Sequence, residues 1–166
     1  FFKLGINAGT SATIVKPHGT VNVQTNTVGN VGAGEDDLHS WTVPANVLAT
    51  DGDSLAFEAA GSFGASINSK RVRVRFGATV VFDSGALAIT AATDWSLEGR
   101  IIRTGATAQK CYVRLNTSSA TLSAYADYTT PAETLGGTVV LKTTAEATDN
   151  NDVVEETFVV QWHSAP

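Results

Sequence analysis

Three arginines spaced two apart are the densest charge chemistry in the chain: Arg71, Arg73 and Arg75 in "SKRVRVRFGATVVFDSG", residues 69–85. In an extended segment this spacing puts the three guanidiniums on one face and Val72, Val74 and Phe76 on the other. Such a row can grip a phosphate or an acidic glycan, pair with carboxylates on the next strand, or bind a neighbouring subunit. The remaining reactive types are scattered. His18, His39 and His163 lack the spacing of a zinc pair, and His39, opposite Leu38 and Ser40 in "LHSWT", reads as a solvated or edge histidine. Cys111 alternates with Val113 and Leu115, which predicts an inert core thiol. A single cysteine excludes an intrachain disulfide and a cysteine zinc cluster. Neither a G-x-S-x-G elbow nor a phosphate loop occurs. The acidic runs "GEDD" (Glu35, Asp36, Asp37) and "TDNND" (Asp149, Asp152) miss the spacing of a calcium loop and read as solvated turns. A glycosidase pair would need two carboxylates to converge in the fold, and nothing in the sequence favours one. No catalytic, cofactor or metal residue is assigned.

The elements that must carry these side chains are extended. Thr, Val, Ala, Ser and Gly dominate the 166 residues, and apolar spacing at i, i+3, i+4 is never sustained. Strands are predicted over 19–28, 38–44 (ended by Pro44), 54–63, 70–76, 78–85, 94–105, the "ATAQKCYVRLNTSS" stretch, a short piece of "ATLSAYADYTTPAETLGG", 138–148 and 152–162. Residues 29–37 read as a glycine-rich acidic loop, and Asp51-Gly52 as a turn. Leu55, Phe57 and Ala59 share one face; so do Trp95, Leu97, Gly99 and Ile101, and, in the last strand, Val154, Phe158, Val160 and Trp162. Eight to ten short strands with regularly spaced turns predict one all-β domain over 19–166, a two-sheet antiparallel sandwich of jelly-roll type. An immunoglobulin-like sandwich is the alternative. Residues 1–18 form an extended N-terminal arm, whose Phe1, Phe2, Leu4 and Ile6 are candidates to dock on a neighbouring chain.

A length of 166 residues suits one domain that folds without staples. The formal net charge of −5 argues against nucleic acid as a partner. There is no apolar run long enough to span a membrane, and the opening residues lack a signal-peptide pattern. The chain has no methionine, which predicts a processed product or a stretch of a longer one.

Four segments carry a resemblance: "NVGAGEDDLHSWTVPANVLATDGDSLAFEAAGSF", "NSKRVRVRFGATVVFDSG", "RTGATAQK" and "TTPAETLGGTVVLKTTAEATDNNDVVEETFVVQW". In this order they resemble uncharacterised structural proteins of bacteriophage virions, over about four-fifths of the chain. The resemblance implies a virion surface component (capsid decoration, head-fibre or tail-fibre domain), commonly trimeric, and implies no catalytic residue.

The leading expectation is therefore a non-enzymatic homotrimeric virion protein, located on the particle and bound to major capsid or tail proteins. Its candidate contact residues are Phe1, Phe2, Leu4 and Ile6 of the arm and Arg71, Arg73 and Arg75 of the sheet. The arginines are expected to pair with Glu58, Glu98, Glu155 or Glu156 on neighbouring strands. The second expectation is a receptor- or carbohydrate-binding module that stacks a host surface glycan on Trp41, Tyr112, Tyr125 or Tyr128, with Trp95 and Trp162 in the core. An enzyme such as a polysaccharide depolymerase is the third.

Overall fold

A computed structural model describes residues 19–118 and 125–165. Among the described residues eleven strands make up the regular structure: β1 (Gly19–Gln24), β2 (Val28–Gly29), β3 (Gly34–Val43), β4 (Ser54–Phe63), β5 (Arg71–Phe76), β6 (Thr79–Asp83), β7 (Thr93–Gly105), β8 (Ala108–Thr117), β9 (Tyr125–Thr129), β10 (Val139–Ala147) and β11 (Val153–His163). The predicted arm, residues 1–18, lies outside the described residues.

The strands form two antiparallel sheets. One runs β1-β11-β4-β7-β8-β9, with β2 also on β11; the other runs β3-β10-β5-β6. The pairings are nested: β1 with β11, β3 with β10, β4 with β7, β5 with β6. A long hairpin rolled up on itself gives this pattern, and it is the jelly roll that the strand spacing predicts. β8 and β9 are an addition, inserted between β7 and β10 on the outer flank of the larger sheet. β9 bends toward β6, where Thr129 Oγ1 donates to the Val81 carbonyl (3.4 Å) and the Asp83 N–H to Asp127 Oδ2 (3.3 Å).

Alternation places the core between the sheets. From the larger sheet come Leu55, Phe57, Phe63, Trp95, Leu97, Ile101, Val113, Leu115, Phe158 and Val160; from the smaller, Val43, Val72, Val74, Phe76, Phe82 and Leu141, all buried. Each large apolar side chain so buried contributes about 1.5–3 kcal/mol over leaving it in water. Gly99 shares this inner face as predicted, and the Phe57 ring from β4 occupies the space a Cβ would need there. The tight β5–β6 hairpin turns through Gly77 at φ 60°, a backbone geometry that favours glycine.

Two bulges shift the face pattern. In β3, Leu38 and His39 together oppose Thr143, so both point inward. In β11, Glu156 is the extra residue opposite β4. This reverses the phase expected for the start of that strand. Val153 and Glu155 are buried, and Val154, expected with Phe158, is only partly covered. The expected acidic loop at 29–37 is in part strand, since β3 begins at Gly34.

Candidate functional site

The three arginines of β5 point out from the smaller sheet, as alternation requires, and each meets carboxylates of its own sheet. Arg71 grips Asp83 of β6 with two hydrogen bonds, Nε to Oδ1 at 2.6 Å and Nη2 to Oδ2 at 2.5 Å. Arg75 grips Glu35 of β3 the same way, at 2.7 and 2.8 Å. Arg73 bridges the two clamps. Its Nε donates to Asp83 (3.1 Å), its Nη2 to Glu146 of β10 (2.8 Å), and its Nη1 lies 3.1 Å from Glu35 Oε2. Thr144 adds a 2.6 Å hydrogen bond to Glu35, and Lys142 pairs with Asp37 at 2.6 Å. Four strands are thereby tied edge to edge by one polar ladder.

The electrostatics follow from the pairing. Hydrogen bonding from Arg75, helped by Thr144 and the charge of Arg73, holds the Glu35 carboxyl down at about 2. Burial alone would raise Asp83, but Arg71, the Gly85 N–H and Arg73 outweigh it and bring it to about 2. The partners differ from the glutamates expected. Glu58 and Glu98 belong to the other sheet, Glu156 is the exposed bulge residue, and Glu155 lies inside the sandwich. A strand sequence shows which face a side chain takes and not which strand lies alongside; that is fixed by the β3-β10-β5-β6 order.

The interior holds a second polar group that the sequence reading missed. Glu155, Thr143 and His39 are all buried where the two bulges face each other. Glu155 Oε2 accepts from the Thr143 hydroxyl (2.5 Å) and from the His39 backbone N–H (3.2 Å), and it lies 3.5 Å from His39 Nδ1. Thr143 Oγ1 also accepts from the His39 backbone N–H (3.3 Å) and lies 3.3 Å from the His39 carbonyl. The β3 bulge removes His39 from the regular ladder, and these side chains satisfy its backbone. Burial pushes Glu155 up to about 7, against the hydrogen bonds from Thr143 and His39. Burial also lowers His39, against the Asn26 carbonyl and the charge of Glu156. His39 is thus a core residue stacked on Phe158 (centroids 6.4 Å apart), not the solvated histidine expected.

Another buried charge also escaped notice in the sequence. Lys70 Nζ donates to the carbonyls of Ser66, Asn68 and Ile89 and to Ser66 Oγ, all at 2.9–3.1 Å. Ser66 and Asn68 in turn donate to Asp152 (2.9 and 3.1 Å), so Asp152 is buried and not the solvated turn residue expected. Burial would raise its carboxyl, but Asn68, Ser66 and nearby Lys70 lower it. Among the described residues no group of three or more His, Cys, Asp and Glu side chains is placed to hold a metal ion. Cys111 is buried and unpaired, and burial pushes its thiol up to about 12, the inert behaviour expected.

The aromatic candidates divide. Trp95 is in the core. Trp162 packs against the core but also lines, with Val21, Trp41, Pro44, Asn46, Val47 and Ala49, an apolar groove of about 460 Å³ at the β1–β3 edge. Tyr112 and Tyr128 are directly opposite each other on the outer face of β8 and β9, 45% and 62% exposed. Phe1, Phe2, Leu4 and Ile6, and the side chain of Tyr125, lie outside what the structure describes.

No protein-family model matches the chain, and no curated protein matches it.

Proposed function

We propose that this chain is a non-enzymatic structural module of a virion, a capsid-decoration or fibre component that holds to neighbouring virion proteins through its N-terminal arm and sheet surfaces, as a homotrimer. The observation that carries the binding role is the groove of Trp41, Trp162, Val21, Pro44 and Val47. It is apolar, and β1 begins beside it: Gly19 pairs with Trp162. The arm that precedes Gly19 carries Phe1, Phe2, Leu4 and Ile6, side chains suited to such a surface when supplied by a neighbouring copy. The arginine ladder supports the non-enzymatic part of the reading, since its guanidiniums are matched to the protein's own carboxylates. The virion setting rests on the resemblance of the four sequence segments.

Mass photometry of the full chain tests the assembly. A mass of three times 17.3 kDa, falling to the single-chain value in a Phe1→Ser/Phe2→Ser variant, supports the reading. A single-chain mass for both proteins overturns it. Mass spectrometry of purified particles tests the setting, and absence of the chain from them overturns that part.

A further inference from the structure

The outer face of β7, β8 and β9 has the opposite character to the arginine ladder. Among the described residues, Arg100 and Lys110 are the exposed basic side chains with no ion-pair partner, and Arg114 has only a loose 4.0 Å approach to Glu98. Elsewhere Arg71, Arg73, Arg75, Arg103 and Lys142 are matched to carboxylates, and Lys70 is buried among oxygens. Arg100 is directly opposite Tyr112, and Tyr112 is directly opposite Tyr128. Lys110 and Arg114 flank Tyr112 on the same face of β8, two residues away on either side. The row continues across the sheet through Ala56 and Gln161. In a chain of net charge −5, this is a short cationic track centred on Tyr112, with Tyr128 beyond it on the edge strand β9 and the exposed pair Glu58 and Glu98 in the adjacent row.

We propose that this face binds an acidic polysaccharide, carboxylated or sulfated. Neighbouring strands hold the two tyrosines about 4.8 Å apart in backbone spacing, and each exposed ring offers a small apolar platform with a hydroxyl at its tip. A pyranose ring presents a face of C–H groups that suits such a platform, while the guanidinium and ammonium groups beside it take the sugar's anionic substituents. The small Ala56 keeps the track shallow toward Gln161. The row holds no large aliphatic side chain of the kind that anchors a protein hot spot, which disfavours an acidic protein. The net negative charge disfavours nucleic acid. This goes beyond the scaffold role, because it uses the strands added to the jelly roll and not the arm or the groove.

The test is calorimetric titration of the full chain with alginate oligosaccharide, dextran sulfate, neutral dextran and polyglutamate, at low and at physiological salt. Binding of at least one acidic polysaccharide is expected, with neutral dextran and polyglutamate at least about tenfold weaker. Tyr112→Ala/Tyr128→Ala and Arg100→Gln/Lys110→Gln should each weaken binding by about tenfold or more, with the thermal midpoint unchanged because all four side chains are exposed. No binding of either acidic polysaccharide overturns the proposal. So does equal binding of polyglutamate, which would reveal a bare charge patch, or an affinity that neither double variant lowers.

Discussion

Replacing Glu155 by glutamine should stabilise the protein above neutral pH and leave it nearly unchanged in mild acid. Glu155 is fully buried, and its carboxyl titrates at about 7 instead of 4.5. The folded state therefore keeps a proton between those two values that the unfolded chain has released. Stability must fall as pH rises through this window, and the whole penalty is present above it. A shift from 4.5 to about 7 corresponds, at about 1.36 kcal/mol per unit, to about 3 kcal/mol. Glutamine has the same shape, and its carbonyl oxygen can accept from Thr143 and His39 as Oε2 does. It cannot ionise. The measurement is urea unfolding followed by tryptophan fluorescence, at about pH 5 and about pH 8. With a slope near 2 kcal/mol per molar urea, the variant's midpoint should be about 1.5 M above wild type at the higher pH, with little gain at the lower. A difference that is the same at both pH values, or a variant weaker than wild type at pH 8, would refute the argument that burial dominates this carboxyl.

Arg73→Met should cost about 1.5–3 kcal/mol, because Glu146 loses its arginine while Asp83 and Glu35 keep only Arg71 and Arg75; chemical denaturation reads this directly. In acid, the stability supplied by Glu35 and Asp83, both near 2 when folded, should be complete above about pH 4.5 and disappear as pH falls toward 2, seen as a falling thermal midpoint. Arg75→Met should raise the Glu35 titration midpoint measured by NMR. Cys111 should stay unreactive toward an aromatic disulfide reagent at pH about 8 until denaturant is added. Gly99→Ala should lower stability by about 1–3 kcal/mol, since the added methyl runs into the Phe57 ring.

The parts of the fold that depend on unbroken alternation were legible in the sequence. β5 and β8 present Val72, Val74, Phe76 and Cys111, Val113, Leu115 inward as their spacing demands. The wrongly assigned faces have a common cause. A bulge adds one residue to one strand and carries no sequence mark of its own, yet it inverts every assignment on one side of it. That is why His39 and Glu155 entered the core and Val154 moved toward solvent. The ladder's carboxylates escaped because Glu35 and Glu146 reach Arg73 only through the β3-β10-β5 neighbourhood, which no local pattern encodes. Lys70 was hidden by its position beside three exposed-face arginines: it begins the same alternating run but belongs to the loop before it. The unpaired Arg100 and Lys110 could be told from the other cations only after the carboxylates had been allotted.

The rolled-up hairpin has a consequence for how the molecule comes into being. β11 lies between β1 and β4 in the larger sheet, yet it is synthesised after both of them. Until it arrives, β1 has no neighbour in that sheet and β4 has one exposed flank. Closure joins segments more than a hundred residues apart, a topology that folds slowly and late. The nascent chain therefore stays partly open until β11 is made, and a protein shortened within Val153–His163 should fail as a whole and not lose merely a local piece.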